Sequence, residues 1–284
     1  MKVRANAKVN LSLDITGKRT DGYHTLRSVM QSVGLYDELE VTAHETVSVM
    51  CDRSELSGDA NLAARSARLF FEKASISGGA LIKIKKNIPV AGGLGGGSAD
   101  AAAVLVALNR LYGEPLDEDM LLSSALLLGA DVPFCLTGGT RLAEGIGEKL
   151  TVLPSLPKCR IVIAKKGFKS STGDMYRRID SEKEKRVSDT DGIIAALEAA
   201  DLHGVCKCLY NRFEEVSDRS VLFEAGNIMS GFDCLYCGLS GAGPSVIGIF
   251  ESDASALEAA KKLDECGFKS KSCEPRMSGI EIIE

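Results

Sequence analysis

Five glycines fall between positions 92 and 97 in the run Asn87-Ile-Pro-Val-Ala-Gly-Gly-Leu-Gly-Gly-Gly-Ser-Ala-Asp100, and a helical pattern opens directly after Ser98. Glycine has no Cβ, so such a loop takes positive φ readily and lays its N–H groups close against a ligand. The following helix adds unpaired N–H groups and a positive dipole end. That combination suits the gripping of a polyphosphate. A Walker loop ends in Gly-Lys-Ser or Gly-Lys-Thr, whereas Ser98 and Ala99 follow the last glycine here and no lysine stands among them. The dinucleotide fingerprint fails as well, since counting from Gly93 and Gly95 places Ser98 at its third glycine. A flexible Gly/Ser linker is the plain alternative, but a strand-like run leads into this loop and a helix leaves it.

Three further stretches could carry chemistry. Asp131, in Gly129-Ala-Asp-Val-Pro-Phe134, sits just past a helical run in a segment fixed by Pro133. It reads either as a turn aspartate bonding its own backbone or as a carboxylate held in a partly dry cleft, where it could accept a hydroxyl proton. Tyr23-His24 closes the polar loop of residues 16–24, as a plain turn or as a ledge on which a flat ring could stack. Leu239-Ser-Gly-Ala-Gly-Pro-Ser245 is a second glycine turn. It could be a tight hairpin only, yet two distant glycine turns and an embedded aspartate are what a phosphate-handling cleft between two domains requires.

The elements that must position these residues follow from periodicity. Residues 3–7, 10–15, 29–33, 38–43 and 46–51 read as short strands. Asp59 or Asn61 can cap a helix running to about Lys73, and residues 81–86 alternate as a half-exposed strand feeding the glycine loop. The alanine-rich run after Ser98 ends at Gly113, and another helix runs from near Asp117 to Gly129. Residues 138–147 read as a strand and a glycine turn, and the two prolines of residues 153–157 mark a domain junction. The predicted domains are therefore 1–155 and 156–284. Beyond the junction come a strand at 160–164, a polar segment over 165–178 holding Thr172 and Tyr176, and a mixed-charge, solvated stretch over 181–186. Helices follow near 190–200, 202–212 and 218–229. Strands at 234–239 and 246–250, a helix at 254–265 and β-like segments at 268–273 and 280–283 complete an α+β half.

Composition bounds the rest. With 284 residues and 45% hydrophobic content the chain can bury a substantial core. Its 34 basic and 39 acidic residues are spread along the sequence, so no basic stripe argues for nucleic acid or for an anionic membrane, and the expected partners are small molecules. No apolar run approaches the roughly 18 residues of a membrane helix, and Met1-Lys-Val-Arg leads straight into a strand, which predicts a cytoplasmic protein. Nine cysteines, an odd number, read as reduced thiols. Cys234 with Cys237 in a strand, and Cys206 with Cys208 in a helix, point to diverging faces, so neither spacing makes a zinc site.

Taken together, Ala7-Lys-Val-Asn10, Asp21-Gly-Tyr-His24, the loop, Gly129-Ala-Asp-Val-Pro-Phe134 and Leu239-Ser-Gly-Ala-Gly-Pro244 resemble the GHMP kinases over nearly the whole chain. The resemblance implies a two-domain α+β fold with the active-site cleft between the domains. Lys8-Val-Asn10 and Gly22-Tyr-His24 narrow it to members that transfer the γ-phosphoryl group of ATP to the 2-hydroxyl of 4-diphosphocytidyl-2-C-methyl-D-erythritol, in the non-mevalonate route to isoprenoid precursors. It implies Asp131 as base with Lys8 beside it, a cation that keeps the carboxylate ionised and offsets charge during transfer. It implies an ATP site from Pro89, Val90, Ala91, Gly92, Gly93, Leu94, Gly95, Gly96, Gly97, Ser98 and Ala99, with Asn61 and Lys86 at the adenine and Mg²⁺ bridging the β and γ oxygens. For the substrate it implies Asn10, Tyr23, His24 and Tyr176, the two tyrosines sandwiching the cytosine. No acidic residue matches the magnesium-binding glutamate of some other GHMP kinases, and the protein ligands of the metal stay open. Two alternatives stay open too: a GHMP kinase for another small alcohol, such as homoserine or mevalonate, or a silent metabolite-binding protein of the same fold.

Overall fold

The computed structural model describes residues 1–167, 172–182, 186 and 188–284. The chain opens with two long antiparallel strands, β1 (Lys2–Lys18) and β2 (His24–His44), followed by β3 (Ser48–Cys51), α1 (Leu62–Ala74), β4 (Gly79–Lys85), α2 (Gly96–Leu111), α3 (Glu118–Leu128) and α4 (Val132–Thr137). Next come β5 (Thr140–Gly145), β6 (Lys149–Val152), β7 (Arg160–Lys165), α5 (Thr172–Ser181), α6 (Thr190–Glu198), α7 (Leu202–Cys208) and α8 (Ser220–Ser230). The last elements are β8 (Tyr236–Leu239), β9 (Ser245–Phe250), α9 (Asp253–Glu265), β10 (Lys269–Cys273), β11 (Pro275–Arg276) and β12 (Ile280–Ile282). Among the described residues the strands form an eight-stranded sheet, with β12-β1-β2-β4-β3 in order and β5, β6 and β11 attached along β2, and a four-stranded sheet ordered β10-β7-β9-β8.

The first 51 residues hold three strands rather than the five that the pattern predicts, because the expected gaps are bulges inside continuous strands. Lys8 and Asn10 interrupt an apolar run, yet both are buried within β1. Register shifts at Asn6/Ala7, Asn10/Ser12 and Ile15/Gly17 bend the strand there, and such bulges re-aim side chains while keeping the ladder. The polar loop shrinks to residues 19–23 for the same reason. Two helices replace predicted irregular segments. Pro133 lies in the first turn of α4, where a missing N–H costs nothing, and the polar residues 165–178 include the start of α5. Of the mixed-charge stretch over 181–186, residues 183–185 lie outside the described residues.

Helix α2 is apolar nearly all round, with Ala99, Ala101, Ala102, Ala103, Val104, Leu105, Ala107 and Leu108 buried. A helix of that kind has to be covered on several sides, and it packs on β1 and β2 with α1, α3 and α4 around it. The second sheet is covered on both faces. Ile161, Ile163, Ile247 and Ile249 face the main core, while Val162, Ala164, Val246 and Phe250 pack against α8 and α9. That alternation is the period-two signature of strands.

The chain's last strands return to the first sheet, where β12 pairs with β1 and β11 with β2. Between them Gly279 lies on α4: its carbonyl accepts from the Asn6 amide at 2.8 Å, and a Cβ added to it would strike the Cys135 carbonyl. Only glycine permits this approach. Gly279→Ala is expected to lower the unfolding free energy by about 1–3 kcal/mol, the scale of overpacking, read from urea denaturation. A variant as stable as the parent would mean that the tail does not bear on α4.

Candidate active site

A cavity of about 700 Å³ opens over the glycine loop and the start of α2. Lys8, Asn10, Asn61, Lys86, the loop from Pro89 to Ser98, Asp131, Thr172 and Tyr176 all line it, together with Gly241 and Ala242 of the second glycine turn. Ala99 is buried behind the loop, and Tyr23 and His24 are not among the lining residues.

The loop is shaped by its neighbours. Its third glycine, Gly95, is the N-cap of α2 at φ 71°. A Cβ there would lie 2.8 Å from Lys8 Cγ, so the absence of a side chain lets the helix start directly over that lysine. The Lys8 amide donates to the Leu94 carbonyl at 3.0 Å, which ties β1 to the loop. The second glycine turn clasps the other side: Ser240 Oγ donates to the Gly93 carbonyl at 3.1 Å, and the Ser245 amide donates to that of Gly92 at 3.2 Å. Buried Asn211 fixes this turn in place, its Nδ2 donating to the carbonyls of Leu239 and Gly241 at 2.8 and 2.9 Å. The turn is thus a hairpin and also one wall of the cavity.

Lys8 and Asp131 meet although 123 positions separate them (131 − 8). The Lys8 ammonium lies 3.4 Å from Asp131 Oδ2; the lysine side chain is 6% exposed and the aspartate 43%. Asp131 caps α4 by position, yet its carboxylate makes no capping bond and stays open to the cavity. The ammonium also donates to Asn10 Oδ1 at 2.8 Å, and Asn10 Nδ2 donates to Ser28 Oγ at 2.9 Å. Asn10, expected to touch substrate, therefore has its amide engaged in aiming Lys8.

Two other expected contacts are similarly engaged. Asn61 caps α1, accepting from the Ala63 amide at 2.8 Å and donating to the Leu56 carbonyl at 2.7 Å. Lys86 lies beneath the loop between two buried carboxylates, Asp37 and Asp100, the latter at 2.6 Å. Asp37 also accepts from the amides of Asn87 and Ile88 at 2.6 and 2.8 Å. Burial works against the Lys86 charge, but Asp100 and Asp37 outweigh it and hold the ammonium above its ordinary range. Asp37 and Asp100 are missing from the sequence reading because nothing in their local spacing announces a partner 49 or 14 residues away.

On the substrate side, His24 stacks on Tyr176 with ring centroids 4.5 Å apart and planes 13° from parallel. Its Nε2 lies 2.6 Å from Asp180 Oδ1, and Lys18 reaches the same carboxylate at 2.6 Å, so α5 is strapped onto the β1–β2 hairpin. Tyr176 also meets Phe213 edge-on at 5.1 Å. Burial, and then the Asp131 charge, push the Tyr176 hydroxyl up, so the carboxylate's field reaches this wall. Tyr23 projects into solvent, 62% exposed. Away from the cavity, Cys206 and Cys208 sit in α7 and Cys237 in β8; burial pushes Cys206 and Cys237 up to about 12 and Cys234 to about 11, which keeps them as thiols.

Residues 61–139 match the GHMP kinases N terminal domain and residues 193–269 the GHMP kinases C terminal domain. A 4-diphosphocytidyl-2-C-methyl-D-erythritol kinase of Caldicellulosiruptor saccharolyticus is 42% identical over 268 residues, covering 93% of this chain and 92% of that one. One of Desulfitobacterium hafniense is 44% identical, covering 90% and 89%. A crystal structure of 4-(cytidine 5'-diphospho)-2C-methyl-D-erythritol kinase superposes with a TM-score of 0.83 at 33% identity, over 97% of this chain and 99% of that one. The chain belongs to the 4-diphosphocytidyl-2-C-methyl-D-erythritol kinases, within the GHMP kinases. Members of this superfamily are ATP-dependent kinases of small molecules.

Asp100 provides a test of the buried charges. Burial raises its carboxyl well above the ordinary range, and Oδ1 has no hydrogen-bond partner. The folded state therefore holds this proton more tightly than the unfolded chain, whose aspartates titrate near about 3.9, and stability falls as pH rises above that value. Asp100→Asn cannot titrate. Its melting temperature relative to wild type is expected to climb as pH rises above about 4, and a difference that stays flat with pH would mean that Asp100 titrates normally.

Proposed function

We propose that Lys8 and Asp131 catalyse, and that the glycine loop holds ATP for, phosphorylation of the 2-hydroxyl of 4-diphosphocytidyl-2-C-methyl-D-erythritol. The observation that carries this is the meeting of a buried ammonium and an open carboxylate at one rim of a cavity whose other rim is a loop of main-chain amides. The triphosphate lies along the residues from Pro89 to Ala99, with its γ-phosphoryl group toward Asp131. The substrate hydroxyl gives its proton to Asp131 as its oxygen bonds to the γ-phosphorus, and the bond to the bridging oxygen of ADP breaks. Phosphoryl transfer needs positioning and charge stabilisation more than covalent help. Lys8 supplies a fixed positive charge, aimed by Asn10 and Ser28, where negative charge shifts between donor and acceptor.

Asn61 and Lys86 shape the adenine end, through the α1 cap and the stem of the lysine, since their polar atoms are bonded elsewhere. Tyr23 and Tyr176 enclose the cytosine, and His24 is the polar contact beside them. The exposed Tyr23 ring has the freedom to close on a base. Among the described residues no cluster of three or more metal-ligating side chains exists. Mg²⁺ suits the site nonetheless, because it keeps waters and takes most of its oxygens from phosphates. The Ser98 hydroxyl, in the first turn of α2, is the protein oxygen that would complete its shell, Asp131 being kept for the proton. Bound there, the ion neutralises phosphate charge. The cleft separates domains 1–155 and 156–284, with the segment after β10 returning to the first. No helix among the described residues is long and apolar enough to cross a membrane, and the small charged substrates suit a cytoplasmic enzyme.

Release of ADP should depend on the cytidyl alcohol in a coupled assay, and no release with that alcohol would overturn the assignment. Asp131→Asn should lower kcat by about 10²–10⁴-fold with the fold retained, the scale of a positioned base; turnover near wild type would take Asp131 out of the chemistry. Tyr23→Ala should raise the KM for the alcohol by about 2–10-fold with KM for ATP unchanged, matching about 0.5–1.5 kcal/mol of stacking.

A further inference from the structure

A second cavity, of about 810 Å³, lies behind the glycine loop, between β2 and the β7–β10 edge of the second sheet. Its floor includes Leu35, Ile88, Val90 and Ile163. The charged groups around it are Arg53, Lys85, Lys86, Lys165, Lys269 and Lys271 against Glu38 and Glu55. Lys85 is paired with Glu38 at 3.0 Å, and Lys86 is held by Asp37 and Asp100. Among the described residues Arg53, Lys165, Lys269 and Lys271 form no ion pair, and of the acids that line the cavity only Glu55 is left to offset them. This happens in a protein of net charge −5, so the positive charge is concentrated here against the global balance.

The register makes the cluster costly. Lys269 stands directly opposite Lys165 in the antiparallel β10–β7 pair, and Lys271 stands opposite Ile163 on the same face. Like charges directly opposite one another destabilise a sheet. Lysines on an edge strand do discourage sheet-to-sheet pairing, which would account for β10. That explanation leaves out Lys165, which lies on the interior strand β7, and Arg53, which approaches from the far wall.

We propose that this cavity is a second anion site, which takes a small phosphate- or diphosphate-bearing molecule on Lys165, Lys269, Lys271 and Arg53. The two cavities share Glu55, Lys86, Ile88, Pro89 and Val90 as a common wall. An anion bound behind the loop therefore bears on the strand that leads into the nucleotide site, and the two affinities are linked reciprocally. The site does not depend on the identity of the phosphorylated alcohol, and its test reads binding rather than turnover.

Pyrophosphate is the probe, with saturating ADP present to fill the first cavity. Equilibrium dialysis of the wild-type protein with radiolabelled pyrophosphate should show an ADP-resistant site, near one equivalent per chain. The Lys165→Gln/Lys269→Gln/Lys271→Gln variant should bind at least about tenfold more weakly, the loss of charge-assisted contacts, with kcat and KM for both substrates unchanged in the absence of pyrophosphate. Without ligand, Lys269→Gln alone should melt higher than wild type, since one of the opposed charges is gone, and pyrophosphate should raise its melting temperature less. Absence of ADP-resistant binding in the wild type, or equal binding by the triple variant, would overturn the site.

Discussion

Both ends of the glycine loop are fastened to one buried ammonium. Asp37, on β2, holds the amides of Asn87 and Ile88 where the loop begins, and Asp100, in the first turn of α2, stands where it ends; Lys86 lies between the two carboxylates. Removing one member of a buried ion pair leaves a charge without compensation, a cost of about 3–5 kcal/mol in comparable cases. The loop's path is therefore set from below by charge, and its upper surface of amides stays free for a ligand. Lys86, just ahead of the loop, is thereby a structural counterion.

The ammonium that meets Asp131 is that of Lys8, which comes from β1. Its position depends on a chain of polar groups that the interior of β1 would reject singly: Asn10 holds the ammonium, and Ser28 holds Asn10. Ser240 then joins this strand and the loop, receiving the Asn10 amide at 3.4 Å and donating to Gly93. Buried polar groups of this kind are tolerated when each finds a partner. The two glycine turns, the bulged strand and α4 so converge on a few hydrogen bonds, and the ion pair of Lys8 with Asp131 is the product.

Much of this was legible in the sequence wherever the signal was local. The glycine loop, a cap for α1 at Asp59 or Asn61, the helix ending at Gly129 and the hairpin at residues 239–245 all follow from short-range rules, and the structure selects Asn61 as the cap. Buried polar residues were the obstacle. Lys8 looks like a break between strands because its satisfaction includes a residue distant in sequence, and Asp37 and Asp100 show no periodic mark at all. The segment holding Tyr176 reads as merely polar, too few apolar residues marking α5, and the stacking of Tyr176 on His24 depends on Asp180 and Lys18 drawing that helix onto the hairpin.

The contact of Gly279 with α4 has a bearing on how the protein comes into being. The side chain of Asn6 donates to Ser278 and Glu281, so residues near the start of the chain are completed by residues near 280. During translation residues 278–281 leave the ribosome after every residue that lines the cavity has been made. Until they arrive, the outer edge of β1 lacks its neighbour and the helix that follows Asp131 lacks its support. A nascent polypeptide with every cavity-lining side chain already synthesised thus still awaits residues 278–282 before β1 and α4 are fully packed.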